Sequence, residues 1–202
     1  NMDIFKYGEA ERDYLKKQDP LLGAFIESFG MIEREVTPNL FTALVNSIIS
    51  QQISTKAATT IRSRLLDRIP DIKPEAVASL SVEDIQACGM SMRKAGYIKS
   101  CAEAVMKGHI NLKELEHLSD DEVIKQLSSL HGVGVWTAEM LLIFSLQRSD
   151  VVSYGDLGIR KGMMKLYGLE SLTKKQFANY RERYSPYGSV ASLYLWEKSK
   201  KE

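Results

Sequence analysis

The most restrictive feature of the sequence is the segment VWTAEMLLIFSLQ at 135–147, which is apolar on nearly every face of a helix. A helix without a polar face has to be surrounded by other elements, and this one is much too short to cross a bilayer. We therefore predict a central, buried helix with the rest of the fold packed around it. Trp136 lies in its first turn, where it either packs in the core or lines a site at the helix end.

A glycine-rich turn, LHGVG at 130–134, leads directly into this helix. Gly132 and Gly134 can adopt positive φ and allow close approach of another backbone. The first amides of a helix have no partner within it and lie at the positive end of its dipole, so a phosphate can bind there. The alternative is an ordinary tight turn between two helices.

An acidic residue follows in YGDLGI at 154–159, where Asp156 stands directly before a helix predicted over 157–167. Aspartate is a favoured N-cap residue, and capping alone would explain its presence. A carboxylate that caps a helix is also held rigidly. Capping and catalysis are therefore compatible roles for Asp156.

Helical patterns extend through the whole chain, and no segment has a convincing strand pattern, so we predict an all-α fold. Thr37 is predicted to cap a helix with Pro38 at its first position, and Ser119 with Glu122 forms a capping box by spacing. Ser81 and Ser91 are predicted caps of the same kind. The other predicted helices cover about 9–18, 20–29, 54–68, 174–183 (with Thr173 and Gln176 at its start) and 187–200, with a short one from Pro74.

The composition is that of a globular protein, with 44% hydrophobic and 26% charged residues among 202. The net charge of +1 gives no basic excess, so any attraction for phosphate must come from local arrangement and helix ends. The sequence shows neither a signal peptide nor an apolar run long enough for a membrane helix. We expect a protein without membrane contact, in the cytoplasm of a bacterium or the nucleus of a eukaryote.

The segment Leu130–Asp156 resembles the helix-hairpin-helix Gly/Pro-Asp (HhH-GPD) superfamily of DNA glycosylases, and within it the AlkA-type 3-methyladenine DNA glycosylase II branch. The matching pieces are LHGVGVWTAEM, the LIFSLQRSDVV that follows, and the Asp of YGDLGIRKG. Flanking matches are SIISQQISTKAATTI at 47–61, ACGMSMRKAGYI at 87–98 and YSPYGSVASLYLW at 184–196. Together they cover about 10–198 in the order and spacing of the family.

The resemblance implies two helical lobes around a cleft, with Asp156 at its mouth. The central lobe would cover about 38–130, including the first helix of the hairpin, and the second lobe 2–37 plus 131–202. The antiparallel β domain found upstream in longer AlkA-type proteins has no counterpart in this sequence.

The resemblance also implies a chemistry: removal of an alkylated purine from duplex DNA after the nucleotide has been rotated out of the stack. Asp156 matches the catalytic aspartate, which stabilises the positive charge that builds on the deoxyribose. Trp136 and Trp196 match aromatic positions of the base pocket, and Met140 matches a third position of its wall. Aromatic faces attract the positive charge of an N-alkylated purine.

Residues that would bind DNA are assigned in the same way. Gln52 occupies the position of the wedge that fills the gap left by the flipped base, with Gln51 beside it. Without the resemblance, these two residues are simply solvated glutamines in a turn between helices. The amides of Gly132, Gly134 and Thr137 would hold a DNA phosphate.

No cofactor is expected for the reaction. By resemblance, the carbonyls of Ser128, Leu130 and Val133 would hold a structural K⁺ or Na⁺. Cys88 and Cys101 are too few for the four-cysteine iron–sulfur cluster of some relatives, and in a chain without a secretory signal we expect them to be reduced and buried.

The hairpin predicts hydrolysis without strand cleavage. Glycosylases that also cut the strand use a lysine as nucleophile where this chain has Trp136, and tryptophan cannot form a Schiff base. We therefore predict a monofunctional enzyme that acts as a monomer on double-stranded DNA. Three residues depart from the family pattern: His131, where proline is usual, Gly155 before the aspartate, and Gly188, where arginine is frequent.

Two alternatives remain open at this stage. The chain can be a helix-hairpin-helix module that senses distorted DNA with little or no catalysis, which Gly188 and the low net charge favour. It can also be a glycosylase for oxidised or mismatched bases, which Trp136 and the missing cluster cysteines disfavour. Asp156 and the two tryptophans favour the alkylpurine glycosylase over the sensing module.

Overall fold

A computed structural model of the protein describes residues 2–202. Over this range the regular secondary structure is α-helical, apart from one short 3₁₀ helix at Glu114–His117 and an isolated β-bridge between Ile4 and Glu35, and turns and loops join the helices. The all-α prediction is confirmed. The α-helices are α1 (Glu9–Gln18), α2 (Pro20–Phe29), α3 (Leu40–Ser50), α4 (Thr55–Arg68), α5 (Pro74–Ser79), α6 (Val82–Gln86), α7 (Met92–Met106), α8 (Asp120–Leu127), α9 (Val135–Phe144), α10 (Leu157–Tyr167), α11 (Lys174–Tyr184) and α12 (Gly188–Ser199).

The helix starts follow the capping signals closely. The side chains of Ser81 and Ser91 accept amides of the first turns of α6 and α7. Reciprocal capping boxes are formed at Ser119 of α8 and at Thr173 of α11. These predictions are confirmed because a cap is a local interaction that the sequence specifies within four residues.

Two helix boundaries differ from the sequence-based prediction. Helix α3 begins at Leu40, where Asn39 accepts the Thr42 amide at 3.0 Å, so the predicted cap at Thr37 and the helical Pro38 are wrong. Asparagine is the stronger cap, and its position sets the start.

Helix α9 ends at Phe144 instead of 147, because Gln147 takes φ +53° and the Arg148 amide closes back on the Leu142 carbonyl at 2.8 Å.

The chain divides into two compact units. One, the continuous unit, is Thr37–Leu141; the other, the split unit, combines the segment ending at Val36 with Leu142–Glu202. The sequence-based division placed its second boundary after 130, so the two divisions assign the hairpin and the start of α9 to different units. No helix within residues 2–202 has the length and apolarity needed to span a membrane.

In the split unit, α10 and α12 pack with their backbones almost in contact. A β-carbon at Gly162 of α10 would lie 2.1 Å from the carbonyl oxygen of Leu195 in α12, so only glycine permits this approach. Tyr194 of α12 and Tyr184 at the end of α11 are fully buried. The close packing places the start of α10, which carries Asp156, next to the C-terminal half of α12.

A polar network centred on the buried Asp19 joins α2, α10 and α11 in the split unit. Asp19 caps α2 through the Leu22 amide at 3.1 Å and accepts the Tyr167 hydroxyl at 2.5 Å and Arg183 at 3.4 Å. The Tyr184 hydroxyl lies 2.6 Å from that of Tyr167. Burial raises the pKa of both tyrosines above their ordinary range, so they remain protonated donors.

The continuous unit is organised around α7. This helix packs against α3, α5 and α6, and its buried residues include Ile98 and Cys101. Both cysteines are buried free thiols, as predicted, and burial raises the pKa of Cys101 to about 12. Helix α7 also contacts the turn after α3 through Lys94 and the glycine hairpin through Tyr97.

Candidate functional site

Asp156 is the acidic centre of the split unit. It is the N-cap of α10, as predicted, and only 7% of its surface is exposed. Its Oδ1 accepts the Ile159 amide at 2.8 Å and the indole Nε1–H of Trp196, also at 2.8 Å. Two donors on one oxygen fix the orientation of the carboxylate, so it can act on a neighbouring charge without first reorganising.

Gly158 makes this contact possible. A β-carbon at this position would lie 2.9 Å from Cδ1 of Trp196 and 3.2 Å from Oδ1 of Asp156. The first distance is shorter than real β-carbons show and the second is tight, so a side chain at 158 requires the indole to shift from its position on the carboxylate. The glycine in YGDLG therefore has a steric role at the site.

We expect Gly158→Ala to weaken the site more than the fold. The new methyl group has to displace Trp196, and overpacking of this kind costs about 1–3 kcal/mol. The loss of the indole contact should appear as a changed Trp fluorescence and a lower catalytic rate per folded molecule. Gly168→Ala is the control for stability, because Gly168 has a positive φ of +66° with open space around it. A Gly158→Ala protein with wild-type rate would show that the Trp196–Asp156 bond has no functional role.

The indole of Trp196 is itself packed against two side chains that the sequence did not reveal as site residues. Phe144 lies 5.5 Å from it between ring centroids, tilted by 34°. The guanidinium carbon of Arg34 is 4.7 Å from the Phe144 centroid and 5.3 Å from that of Trp196. Burial lowers the pKa of Arg34, while Glu197 and Asp156 oppose the shift. A cation is therefore held close to the acidic centre.

The hairpin lies in the continuous unit, and its two glycines have different reasons to be glycine. Gly132 has φ +84°, and a β-carbon on it would lie 2.5 Å from the ring of Tyr97. The fold itself therefore requires glycine at 132. Gly134 is exposed, and a β-carbon there would meet nothing within 4 Å. Nothing in the packing of residues 2–202 requires glycine at 134, which agrees with close approach by a ligand.

The first turn of α9 presents main-chain amide donors together with an exposed aromatic side chain. The first helical hydrogen bond runs from the Ala138 amide to the Gly134 carbonyl at 3.0 Å, so the Thr137 amide precedes the helical ladder. Trp136 is 48% exposed, in contrast to its core alternative, whereas Thr137 is buried and Met140 half-buried. The prediction of a helix buried on every side holds for its C-terminal half, at Leu141–Ile143, and is wrong for this first turn.

The turn that contains Gln51 and Gln52 is joined to the hairpin. The Gln51 amide nitrogen Nε2 donates to the Gly132 carbonyl at 3.0 Å. Gln52 is exposed and has φ +57°. The structure thus brings together two motifs that lie 81 residues apart in the sequence.

The carbonyls predicted to hold a monovalent cation lie in the same hairpin. The Leu130 carbonyl accepts a long hydrogen bond from the Val133 amide at 3.2 Å, and a carbonyl oxygen keeps a second lone pair for another partner. Ser128 is the C-cap residue of α8. Within residues 2–202, no cluster of three or more His, Cys, Asp or Glu side chains has the arrangement of a metal site. A site made of main-chain oxygens fits the hairpin and stays a prediction.

Gly188, at a position where arginine is frequent in the family, has a structural role here. Its amide donates to Oδ1 of Asp150 at 3.0 Å, and a β-carbon on it would lie 2.6 Å from that oxygen and 2.7 Å from Val152. Asp150 also accepts the Ser185 hydroxyl at 2.6 Å. A larger residue at 188 would disrupt the connection between Asp150 and the start of α12.

Comparison with known proteins agrees with this geometry. Residues 45–186 match the family described as "HhH-GPD superfamily base excision DNA repair protein". The chain is 39% identical to "DNA-3-methyladenine glycosylase 1" of Schizosaccharomyces pombe, over 79% of this chain and 72% of the relative. A crystal structure of DNA-3-methyladenine glycosidase from Bacillus halodurans is 37% identical, with a TM-score of 0.88 over 99% of this chain and 94% of that one. Another similar structure, S. pombe 3-methyladenine DNA glycosylase (Mag1) in complex with abasic DNA, is 33% identical, with a TM-score of 0.78 over 94% and 96%.

Proposed function

The chain belongs to the HhH-GPD superfamily of base excision DNA repair proteins, and we propose that it is a DNA glycosylase that removes alkylated purines from duplex DNA by hydrolysis. The observation that carries the proposal is the carboxylate of Asp156, which a helix terminus and an indole hold in one orientation. Relatives that align over most of this chain are named for 3-methyladenine. The resemblance recognised in the sequence is thereby confirmed at the level of the family.

The first step would be to hold the duplex and extrude the damaged nucleotide. A phosphate would bind at the N-terminus of α9, where the exposed Gly134 and the amide of Thr137 lie. Gln52 would enter the stack in place of the extruded base, with Gln51 beside it. The neutral composition of the chain makes such local donors necessary, because no basic surplus attracts the phosphates.

The hairpin cation would contribute to the same anchor. The carbonyls of Ser128, Leu130 and Val133 would hold a monovalent ion, which supplies a fixed positive charge close to the bound phosphate. The protein residues themselves shape the turn: Gly132 takes the positive φ, and Gln51 fixes its carbonyl.

The bond between C1′ and the base nitrogen then breaks, and its electron pair leaves with the base. The deoxyribose becomes oxocarbenium-like, and the nearby carboxylate of Asp156 stabilises that charge. The alkylated base leaves as the neutral purine, and the oxygen of a water molecule forms the new bond to C1′ while one of its protons passes to the solvent. The Ile159 amide and the Trp196 indole keep the carboxylate in place throughout.

By resemblance, recognition of the base falls to Trp136 and Met140 in the continuous unit and to Trp196 in the split unit. An N-alkylated purine carries positive charge, and an aromatic face attracts a cation by roughly 0.5–2 kcal/mol. Methionine adapts its shape easily, which suits a wall that has to accept purines of different shape. Alkylation already weakens the glycosidic bond, so modest discrimination in the pocket is enough.

The test of the proposal is release of free base from methylated duplex DNA. We expect free methylpurine and an intact abasic strand, which breaks only after alkali because Trp136 offers no amine for a Schiff base. Borohydride should trap no covalent complex. Strand cleavage without alkali, or a trapped complex, would contradict the hydrolytic mechanism.

The same experiment separates the enzyme from a sensing module. If neither 3-methyladenine nor 7-methylguanine is released while the protein still binds a duplex with an abasic site, the chain is a non-catalytic DNA-damage sensor. Hypoxanthine and ethenoadenine substrates, tested in parallel, would define which purines it accepts.

A further inference from the structure

The turn that carries Gln52 has an unfavourable backbone conformation. Gln52 has φ +57°, in the left-handed region that a residue with a β-carbon rarely adopts. Its side chain is exposed, so no packing of its own compensates. Such conformations persist only where the surrounding structure imposes them. The contacts on either side of Gln52 must therefore supply the constraint.

Lys94 of α7 provides the first of these contacts. Its ammonium group donates to the main-chain carbonyls of Ile49, at 2.9 Å, and of Gln51, the residue directly before Gln52. Both carbonyls lie at the C-terminal end of α3, where helix carbonyls lack partners and the helix dipole favours a cation. Burial lowers the pKa of Lys94, as expected for an ammonium that has exchanged water for these carbonyls.

The lysine is itself held in place. Its backbone amide donates to the hydroxyl of Ser91, the N-cap of α7, at 3.2 Å. Tyr97, one turn further along the same helix, packs against Gly132 of the hairpin. Gln51 then joins the turn to the hairpin through the Gly132 carbonyl. Helix α7 thus fixes both the turn and the hairpin.

We propose that Lys94 is a positioning residue for base flipping, which holds the turn so that Gln52 is aimed into the DNA stack. The inference rests on the proposed function, in which Gln52 fills the gap left by the extruded base. Without the ammonium, the carbonyls of Ile49 and Gln51 would lose their donor, and Gln52 would relax to a negative φ. Its side chain would then leave in a different direction, although no contact with DNA had been removed.

Lys94→Met tests this role, because methionine keeps an apolar stem of similar length and removes the donor. The chain offers a matched control in Lys99, which lies on the same helix and also donates to two main-chain carbonyls, of Ala78 at 2.5 Å and Leu80 at 2.6 Å. Lys94→Met and Lys99→Met each lose one charge and two hydrogen bonds of the same kind. Only the first of them loosens the Gln52 turn.

The readout is independent of catalysis. The DNA probe is a duplex with a tetrahydrofuran abasic analogue and 2-aminopurine as its neighbour, whose fluorescence rises when a side chain enters the stack. We expect Lys94→Met to need about tenfold more protein for half the signal, and Lys99→Met to stay within about twofold of wild type. Lys94→Arg keeps a charged donor and should retain most of the signal.

A double variant decides whether Lys94 acts through Gln52. Gln52→Ala should lose most of the signal and weaken binding of the duplex, and adding Lys94→Met should weaken that binding no further, since residues that act through one another are not additive. Equal losses in Lys94→Met and Lys99→Met, or an additive loss in the double variant, would overturn the proposal. A wild-type protein that binds the probe without unstacking it would remove the wedge role and the role of Lys94 together. Failure of the wedge role of Gln52 would therefore be visible in the wild-type protein. Failure of the Lys94 role alone would be visible only in the variants.

Discussion

Asp156→Asn is expected to lower the rate of base release by roughly 10²–10³-fold, the usual cost of removing one preorganised electrostatic group from an active site. The asparagine oxygen can still accept the Ile159 amide and the Trp196 indole, so the helix cap and the local packing should survive. What disappears is the negative charge that faces the oxocarbenium-like sugar. The measurement is single-turnover release of methylpurine, with affinity for a tetrahydrofuran abasic duplex measured in parallel.

Asp19→Asn is the matched control for this prediction. Asp19 is also a buried N-cap in the split unit, but it accepts the hydroxyl of Tyr167 and lies beside Arg183. We expect Asp19→Asn to lower Tm and leave the rate per folded molecule unchanged. Asp156→Asn should lower that rate and leave Tm nearly unchanged. Full activity in Asp156→Asn would remove the carboxylate from the mechanism.

The parts of the fold that the sequence predicted are those determined within a few residues. Most helix starts follow from a serine, threonine or aspartate and the amide three residues later, and Asp156 is one of them. The error at Thr37 has the same origin, since two cap signals compete over three residues and the asparagine sets the boundary. The exposure of Trp136 could not be read in this way, because burial depends on the neighbours of a helix and not on its own composition.

The contacts that shape the site join residues far apart in the chain. Trp196 reaches Asp156 across 40 positions, which requires the glycines of α10 to admit α12. Arg34 contacts an aromatic ring face, and Lys94 donates to main-chain carbonyls. Neither kind of partner can be recognised from a sequence pattern. The resemblance to a family supplied Trp196 as a pocket residue but not its bond to the carboxylate. Local chemistry is therefore predictable here, and the supporting contacts are not.

The two glycines of the hairpin should separate the requirements of the fold from those of DNA binding. Gly132→Ala has to place a residue with a β-carbon at φ +84° and within 2.5 Å of the Tyr97 ring. The backbone conformation and the overlap together should destabilise the protein by about 2–4 kcal/mol. Gly134→Ala meets open space, so its cost to stability should stay near 1 kcal/mol or below, the difference between glycine and alanine before a helix.

Affinity for DNA, compared at equal amounts of folded protein, should be reduced more by Gly134→Ala than by Gly132→Ala. The alanine methyl at 134 would occupy the space through which a phosphate approaches the first amides of α9, and we expect affinity for a tetrahydrofuran abasic duplex to fall by about tenfold or more. Chemical denaturation gives the stability of each variant, and titration below its unfolding midpoint gives the affinity. Because the phosphate contact carries no sequence information, the loss at Gly134→Ala should be equal for damaged and undamaged duplexes. Unchanged affinity in Gly134→Ala would show that the phosphate binds elsewhere and that Gly134 has no role in DNA binding.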